Sequence, residues 1–396
     1  MSSDAIVDPV VVRDLRSLLS GDDWPLRWQR KLGLVPSNGM GLVRRAVFYT
    51  LLACAPLAVW AFVNGRALPG AGGEPLFAHF GVIVRCLVAI PLLILAEGMA
   101  LRATVGMATQ FVRSGIVTEA QHGRFATLLR DVARLRDSSV PWVIVFGVVA
   151  TWILANPADP GADGLSWAVV EPGHVGLGGW WFAYVARPIY LVLLLGWLLR
   201  IVLAFIMFRR IAKLDLALVP THPDRVGGLG FLESYPGAFA LVTFAVSAVF
   251  ASSWAHDIVY HGHHVESLVH PLVAFAVVWT LLLLAPLLVF APRLLATKRQ
   301  AKLDYGRLVG EQGRLVRQRW ILGEPLADDA LVDAPGIGPV ADAATMYESV
   351  RRMRAAPIGK AALMAVAIPL LLPMLAVFAL EIPLKTILMN LVKALV

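Results

Sequence analysis

The chain has 396 residues, of which 58% are hydrophobic and 16% are charged, and its formal net charge at pH 7 is +8. Soluble globular proteins carry roughly a quarter charged residues, so this composition excludes a large independent soluble domain. The mean hydropathy of +0.71 instead indicates an integral membrane protein. Cys54 and Cys86 both fall within apolar segments, and we interpret them as buried hydrophobic residues rather than as a disulfide or a thiol metal site.

Seven apolar segments are long enough to cross a bilayer, which requires about 20 mostly apolar residues. The predicted spans are Ala46–Val63, Phe77–Glu97, Val140–Ala155, Trp180–Phe208, Gly237–Ala255, Pro271–Ala291 and Ala361–Leu380. The predicted fold class is therefore all-α, a polytopic membrane helical bundle with about seven transmembrane helices and cytoplasmic helical extensions. Six or eight spans are the alternatives.

Basic residues alternate along the chain in a way that predicts its orientation. The segments before the first, third, fifth and seventh spans carry 7, 6, 4 and 12 Lys and Arg residues. The connections after the first, third and fifth spans carry one, none and none. Cytoplasmic loops are enriched in Lys and Arg, so we expect a cytoplasmic N-terminus. The positive charge then needs no nucleic-acid partner, and the preference for Arg over Lys suggests a bacterial inner-membrane protein.

The organisation along the chain follows from these spans. Residues 1–45 are predicted to form a cytoplasmic leader with an interfacial helix, and residues 46–292 a six-span membrane domain with a cytoplasmic helix over 118–137. Residues 293–360 are predicted to form a cytoplasmic helical segment with an acidic loop. Residues 361–396 hold the seventh span and an amphipathic C-terminal helix.

Four short motifs, spread over most of the chain, are similar to those of one protein group. They are Gly41-Leu-Val-Arg-Arg-Ala46, Pro91-Leu-Leu-Ile-Leu-Ala-Glu97, Leu135-Arg-Asp-Ser138 and His222-Pro-Asp-Arg-Val-Gly-Gly-Leu-Gly-Phe231. Together they resemble a family of uncharacterised bacterial multipass membrane proteins with no assigned function. The resemblance implies a single bacterial integral-membrane domain, and it implies no site residues.

Four charged residues fall within or at the ends of predicted spans. Arg85 and Glu97 are separated by 12 positions and Arg187 and Arg200 by 13, so each pair extends over roughly 18–20 Å of helix. We therefore expect Arg85 and Arg187 at similar depth in the outer half, and Glu97 within reach of Arg200 near the inner end. Intramembrane arginines mark an anion-attracting or cation-excluding pathway, or else bind backbone carbonyls or the interface.

The fifth predicted span presents small and hydroxylated residues at helical spacing, among them Thr243 and Ser247. Residues of this kind permit close packing of helices within a membrane. They can also line a pore. Thr243 and Ser247 are therefore candidates for the pathway, with helix packing as the favoured alternative.

The connection after the fifth span contains five of the nine histidines of the chain within 15 residues. The candidate metal ligands are His256, Asp257, His261, His263, His264 and Glu266. Imidazole and carboxylate groups of this kind bind Zn, Ni or Cu. Histidine also titrates near physiological pH, so a pH-sensitive site and a plain polar loop are the alternatives.

A turn-rich segment, Pro220–Gly230, joins the fourth and fifth spans. Its candidate residues are His222, Asp224, Gly227, Gly228 and Gly230. Glycine-rich backbone can bind an anion, and a His–Asp pair can exchange protons. No Gly-Lys-Ser/Thr follows and no strand precedes it, which excludes a P-loop. A fixed turn is favoured, with a gate element or a catalytic loop as alternatives.

The leading functional hypothesis is a homo-oligomeric channel or transporter for a small ion or solute, with Arg85 and Arg187 on its pathway. The first alternative is a membrane sensor or scaffold that responds to metal or pH outside. The second is a membrane-embedded enzyme that uses the His222/Asp224 loop. Because no nucleophile accompanies that loop, a protein without enzymatic activity is favoured. No cofactor is implied other than the metal that the histidines could bind.

Overall fold

The computed structural model describes residues 23–36, 39–68, 75–159, 163–171, 173–262, 264–323 and 338–381. Seven helices in these ranges are long and apolar enough to cross a membrane, which confirms the predicted all-α membrane bundle. We number them span 1 to span 7: Leu42–Val63, Phe80–Arg113, Glu119–Ala155, Leu177–Ile211, Gly230–His261, Glu266–Leu288 and Lys360–Leu380.

Span 3 consists of two helices with different roles. His122–Asp137 is amphipathic and buries Phe125 and Leu129, whereas Val140–Ala155 is apolar throughout. Extended backbone at Ser138 separates them. At 1.5 Å per residue the 16 residues of Val140–Ala155 extend about 24 Å, so this helix alone crosses most of the bilayer core.

Further elements lie outside the spans. The leader helix is Trp24–Lys31, with Asp23 as its N-cap. Span 6 ends in a two-residue turn, after which the chain forms the helix Ala291–Val316. A further helix, Gly338–Arg351, precedes span 7. A two-stranded antiparallel sheet joins spans 3 and 4, in which β1 (Val169–Glu171) pairs with β2 (His174–Val175).

The chain alternates between two ends of the bundle, which we name by composition. The arginine-rich end contains Trp24–Lys31, His122–Asp137, the connection between spans 4 and 5, Ala291–Val316 and Gly338–Arg351. The histidine-rich end contains the connections that follow spans 1, 3 and 5. Among the residues that the structure describes, the basic side chains that precede spans 1, 3, 5 and 7 therefore cluster at one end of the molecule.

Span 5 lies at the centre of the bundle, because 61% of its apolar window is buried against 22% for spans 1, 3 and 7. Span 4 is joined to two neighbours by indole hydrogen bonds. Trp181 Nε1 donates to the carbonyl of Leu52 at 2.9 Å, and Trp197 Nε1 donates to the carbonyl of Leu93 at 3.0 Å. Buried Trp N–H groups of this kind fix the positions of packed helices.

Spans 2 and 4 share an irregularity. Each begins with five α-helical residues and continues through a π-helical turn, Arg85–Ala89 in span 2 and Phe182–Ala186 in span 4. In both, a proline follows two residues after the turn, at Pro91 and Pro188. The turns and the prolines are each 97 positions apart (182 − 85 and 188 − 91). When the two π-helical turns are aligned, Arg85 corresponds to Phe182. Arg187 then corresponds to the residue that lies five positions after Arg85.

Candidate functional site

A hollow of about 800 Å³ lies between spans 2, 3 and 4 at the histidine-rich end. We call it the arginine hollow. It is lined by Arg85, Trp152, Ala155, Asn156, Pro157, Ala158, Asp159, Arg187, Tyr190 and Leu191. The two arginines that the sequence analysis placed at similar depth therefore face one common space.

Neither guanidinium group of the arginine hollow is ion-paired among the described residues, although the Asp159 carboxylate also lines the hollow. Within the ranges that the structure describes, neither Arg85 nor Arg187 forms an ion pair or a hydrogen bond. Arg187 instead lies over aromatic rings, with its Cζ atom 5.3 Å from the ring centre of Trp152 and 5.1 Å from that of Phe182. Cation–π contacts orient a guanidinium without neutralising it. With two guanidiniums and the one carboxylate of Asp159 in its lining, the hollow has a net positive charge and can bind an anion.

At the opposite end of spans 2 and 4 the charges are paired. Arg45 Nη1 lies 2.5 Å from Glu97 Oε2, and Arg200 Nη2 lies 3.1 Å from Glu97 Oε1. Arg200 Nη2 also lies 3.5 Å from Asp23 Oδ2. The Glu97 side chain is only 6% exposed, and Arg45 is 3% exposed. We call these four residues the ion cluster, and it joins the leader helix to spans 1, 2 and 4.

The sequence does not single out Arg45, Gln29 or Asp23 as site residues. Charge counting predicts Arg45 only as one of the cytoplasmic basic residues. In the structure its Nε also donates to Gln29 Oε1 at 2.5 Å. Asp23 caps the leader helix, since its Oδ1 accepts a hydrogen bond from Leu26 N at 3.2 Å. An Asp followed by Trp24-Pro25 is a helix-start signal, so this cap was readable from the sequence.

The hydroxyl groups of span 5 are used for helix packing. Thr243 and Ser247 are fully buried. Trp279 Nε1 of span 6 donates to Thr243 Oγ1 at 3.0 Å, and Ser247 Oγ donates to the carbonyl of Leu370 of span 7 at 2.5 Å. Both hydroxyls therefore join neighbouring helices, and their geometry supports the packing alternative over a pore lining.

The loop between spans 4 and 5 folds around one carboxylate. The Asp224 side chain accepts hydrogen bonds from the backbone N–H groups of Val226, Gly228 and Gly230 at 2.9, 3.2 and 2.8 Å. A Cβ atom at Gly230 would lie 2.9 Å from Asp224 Cβ, so only glycine permits this approach. Burial by itself raises the pKa of Asp224, but these hydrogen bonds outweigh it and hold the pKa below its usual range.

The remaining contacts of this loop are structural as well. His222 Nδ1 lies 2.9 Å from Asp224 Oδ1, and Gly227 has a positive φ of 68°. Arg354 Nη2 donates to the carbonyl of Asp224 at 2.9 Å and to Glu233 Oε1 at 2.5 Å. Because Asp224 already accepts three backbone hydrogen bonds, it is a poor general base, and the geometry supports a fixed turn.

The histidines are distributed differently from the predicted cluster. His256 is buried, and its Nδ1 lies 3.1 Å from the carbonyl oxygen of Ala78. Its ring stacks on that of His79 with centroids 4.7 Å apart, and the His261 ring lies 5.3 Å from it. His79 Nε2 lies 3.0 Å from Ser166 Oγ.

No group of three or more metal-ligating side chains converges among the residues that the structure describes. Asp257 is half-buried, whereas His264 and Glu266 are exposed. His263 lies outside the described residues. The structure thus brings the rings of His79, His256 and His261 close together.

Comparison of the chain with protein-family models, with curated proteins and with solved structures gave no match. The resemblance to a bacterial membrane protein family therefore stays a prediction. A function has to be argued from the arginine hollow, the ion cluster and their surroundings.

Proposed function

We propose that this membrane protein is a transporter for a small anion, which binds between Arg85 and Arg187 in the arginine hollow. The observation that supports it is that both guanidiniums face the same 800 Å³ space without a partner among the described residues. Unpaired charge at membrane depth is costly and in membrane proteins is associated with substrate or ion pathways. A bound anion would offset that cost.

The arrangement of the two ends favours a transporter over an open channel. The arginine hollow is accessible at the histidine-rich end, whereas Arg45, Glu97 and Arg200 close the same helices at the arginine-rich end. Alternating access requires a site open on one side while the other side is closed. In this proposal the ion cluster is the closed gate, and its opening releases the anion.

The direction of transport follows from a second proposal, that the arginine-rich end is cytoplasmic and the membrane is the bacterial inner membrane. The alternation of Lys and Arg counts supports this orientation, since 29 of the 35 basic residues lie in the segments directly before the first, third, fifth and seventh predicted spans. The arginine hollow would then open to the outside.

A homo-oligomer would place several such hollows in one complex, and light scattering of the detergent-solubilised protein measures the number of copies.

The experiment is anion uptake by proteoliposomes that contain the wild type, Arg85→Gln or Arg187→Gln. Chloride, phosphate, sulfate and acetate are the probes. We expect uptake of at least one of them in the wild type and a decrease of tenfold or more in each variant. Arg66→Gln is the matched control, because Arg66 is at the same end and does not line the hollow.

Two results would contradict the proposal. One is wild-type flux that responds to cations and not to any of the four anions. The other is anion uptake that is unchanged in a folded Arg85→Gln/Arg187→Gln double variant. Circular dichroism and size-exclusion profiles of each variant establish that it is folded.

A second candidate function is sensing of external pH, and it is supported by the stack of His79 on His256. Both rings are buried, at 3% and 7% exposure, and Tyr260 and His261 lie against His256. Two positively charged imidazoles in this position would repel each other. Loss of any pH response between pH 7 and 5 in His79→Gln/His256→Gln, with anion flux intact at pH 7, would favour this candidate.

A further inference from the structure

A second cavity lies at the arginine-rich end, where Asp23, Glu97 and Arg200 of the ion cluster form part of its wall. It encloses about 170 Å³ between the leader helix, His122–Asp137 and spans 2, 4 and 5. An engineered cavity of about 150 Å³ holds a benzene molecule, so this one accommodates an apolar body of ring size. We call it the juxtamembrane pocket. Its polar lining consists of Asp23, Glu97, Thr104, Arg136, Arg200 and Tyr235, and the rest is apolar.

The methionines of the juxtamembrane pocket lie further from the membrane centre than Glu97 and Arg200. Met207 follows Arg200 by seven positions on span 4, and Met107 follows Glu97 by ten on span 2. At 1.5 Å per residue the methionines lie about 10 and 15 Å nearer the arginine-rich end. Phe239 lies on the other side of the charges, because its ring packs against Trp197 with centroids 5.6 Å apart. The charged residues therefore lie between two apolar parts of the wall.

The charged part combines both signs. Asp23 and Glu97 provide two carboxylates, and Arg136 and Arg200 provide two guanidiniums. Glu97 is paired closely with two arginines, whereas the nearest arginine nitrogen to Asp23 Oδ2 is 3.5 Å away. Burial raises the pKa of the Asp23 carboxyl above its usual range, because the attraction of Arg200 does not offset the loss of water. A cationic group beside Asp23 would stabilise its carboxylate and offset the cost of burying that charge.

One wall residue also lacks a partner. The Tyr235 side chain is 2% exposed, and its hydroxyl is buried with no hydrogen-bond partner among the residues that the structure describes. Buried hydroxyls are nearly always hydrogen-bonded, and each exception needs an explanation. Its ring packs against Phe208 and Phe239, with centroids 5.3 and 5.1 Å apart. A ligand in the pocket that reached this hydroxyl after a small rotation of the ring would provide its partner.

We propose that the juxtamembrane pocket binds a small zwitterion with an apolar body, which has the chemistry of an apolar amino acid. Its ammonium group lies beside Asp23 and its anionic group faces Arg136 and Arg200. Its apolar body fills the space between Met107, Met207 and the aromatic wall. Methionine side chains adapt to ligands of different shape, and a largely apolar pocket with a few convergent polar groups is the usual form of a small-molecule site.

The test uses the purified full-length chain in detergent and three probes that share one ring and differ in charge. They are L-phenylalanine, phenethylamine and phenylacetate, with binding measured by calorimetry and by the thermal unfolding midpoint. We expect L-phenylalanine to bind at least tenfold more tightly than the other two. Asp23→Asn, which retains a helix-capping side chain, should lower its affinity tenfold or more.

A filling variant provides an independent test if the charge variant folds poorly. Ala204 lines the pocket, so Ala204→Leu should abolish binding of L-phenylalanine. Its neighbour Val202 is 51% exposed and does not line the pocket, so Val202→Leu is the matched control and should bind normally. The proposal is overturned if none of the probes binds the wild type, if phenethylamine binds as well as L-phenylalanine, or if Ala204→Leu binds like the wild type. None of these outcomes depends on anion flux.

Discussion

Arg45 and Glu97 are 52 positions apart in the chain, and they form a buried ion pair 2.5 Å long that joins span 1 to span 2. Two guanidiniums share this single carboxylate, because Arg200 of span 4 binds its other oxygen. The Glu97 carboxylate therefore joins span 2 to both span 1 and span 4. Gln29 extends the same contact to the leader helix.

Removal of that charge is predicted to destabilise the bundle strongly. Glu97→Gln leaves Arg45 buried and uncompensated, and breaking a buried pair in this way costs about 3–5 kcal/mol. Arg45→Gln in the same chain should recover part of the loss, because it removes the orphaned cation. Unfolding by SDS or heat in detergent measures both. Arg200→Gln is the comparison, and it should cost less because that side chain is 26% exposed. Equal stability of Glu97→Gln and the wild type would disprove the role assigned to Glu97.

The sequence contained enough to place Glu97 near Arg200, but it did not reveal Arg45. Helical rise alone put Glu97 and Arg200 at a common depth. Arg44 and Arg45 are adjacent basic residues before an apolar span, and charge counting treats them alike. In the structure Arg44 is exposed and Arg45 is buried. Only the rotation of span 1 against span 2 decides between them, and that rotation depends on packing across the whole bundle.

A similar limit explains the histidines and the hydroxyls. Hydropathy predicted all seven spans, because each needs only a run of apolar residues. Hydropathy gives no positions in space, so the closeness of His79, just before span 2, to His256, near the end of span 5, was not predictable. For Thr243 and Ser247 the sequence left packing and pore lining open. Their partners on spans 6 and 7 became visible only in the assembled fold.

Those two hydroxyls should matter for stability and not for transport. Thr243→Val leaves the Trp279 N–H without its acceptor, and the loss of one interhelical hydrogen bond within a membrane costs about 1 kcal/mol. Ser253→Ala is the control, since its hydroxyl bonds only to the carbonyl of Val249 in its own helix. We expect a lower unfolding midpoint for Thr243→Val and anion uptake like that of the wild type. A change in ion selectivity would instead place Thr243 on the pathway.

The turn around Asp224 should make the stability of the protein sensitive to acid. Its pKa is lowered in the folded state, so the carboxylate contributes stability above its unfolded pKa of about 3.9. That contribution is lost as the pH falls through the folded pKa. Asp224→Asn is predicted to lose about 2 kcal/mol at pH 7, because hydrogen bonds to a charged acceptor are the stronger kind.

The matched control for this prediction is Asp215→Asn. Asp215 is 84% exposed and pairs with Arg293 at the surface, where ion pairs contribute little. The difference in unfolding midpoint between the wild type and Asp224→Asn should stay constant from pH 7 to about pH 4 and should shrink only at lower pH, as the pH falls through the folded pKa of Asp224. Midpoints that stay apart at the acid end would show that Asp224 acts by some means other than its charge.

The orientation is predicted to follow the basic residues. Reporter fusions after Arg225 should be active in the cytoplasm, and fusions after His264 should be active outside. Arg225 belongs to the arginine-rich end and His264 to the histidine-rich end. The opposite pattern would reverse the proposed direction of transport and leave the contacts within the bundle as they are.

The π-helical turns of spans 2 and 4 separate each helix into two parts whose rotation is set independently. Such a turn contains one residue more than the α-helical turn it replaces, and one residue corresponds to about 100° of rotation. In span 2 the turn begins at Arg85, whereas Glu97 lies beyond it. The insertion or deletion of one residue in this turn would rotate one part of the helix by about 100° and leave the packing of the other part unchanged. On span 2 the residue that lines the arginine hollow and the residue that belongs to the ion cluster can thus be re-oriented independently, whereas on span 4 Arg187 and Arg200 both lie beyond the π-helical turn and rotate together.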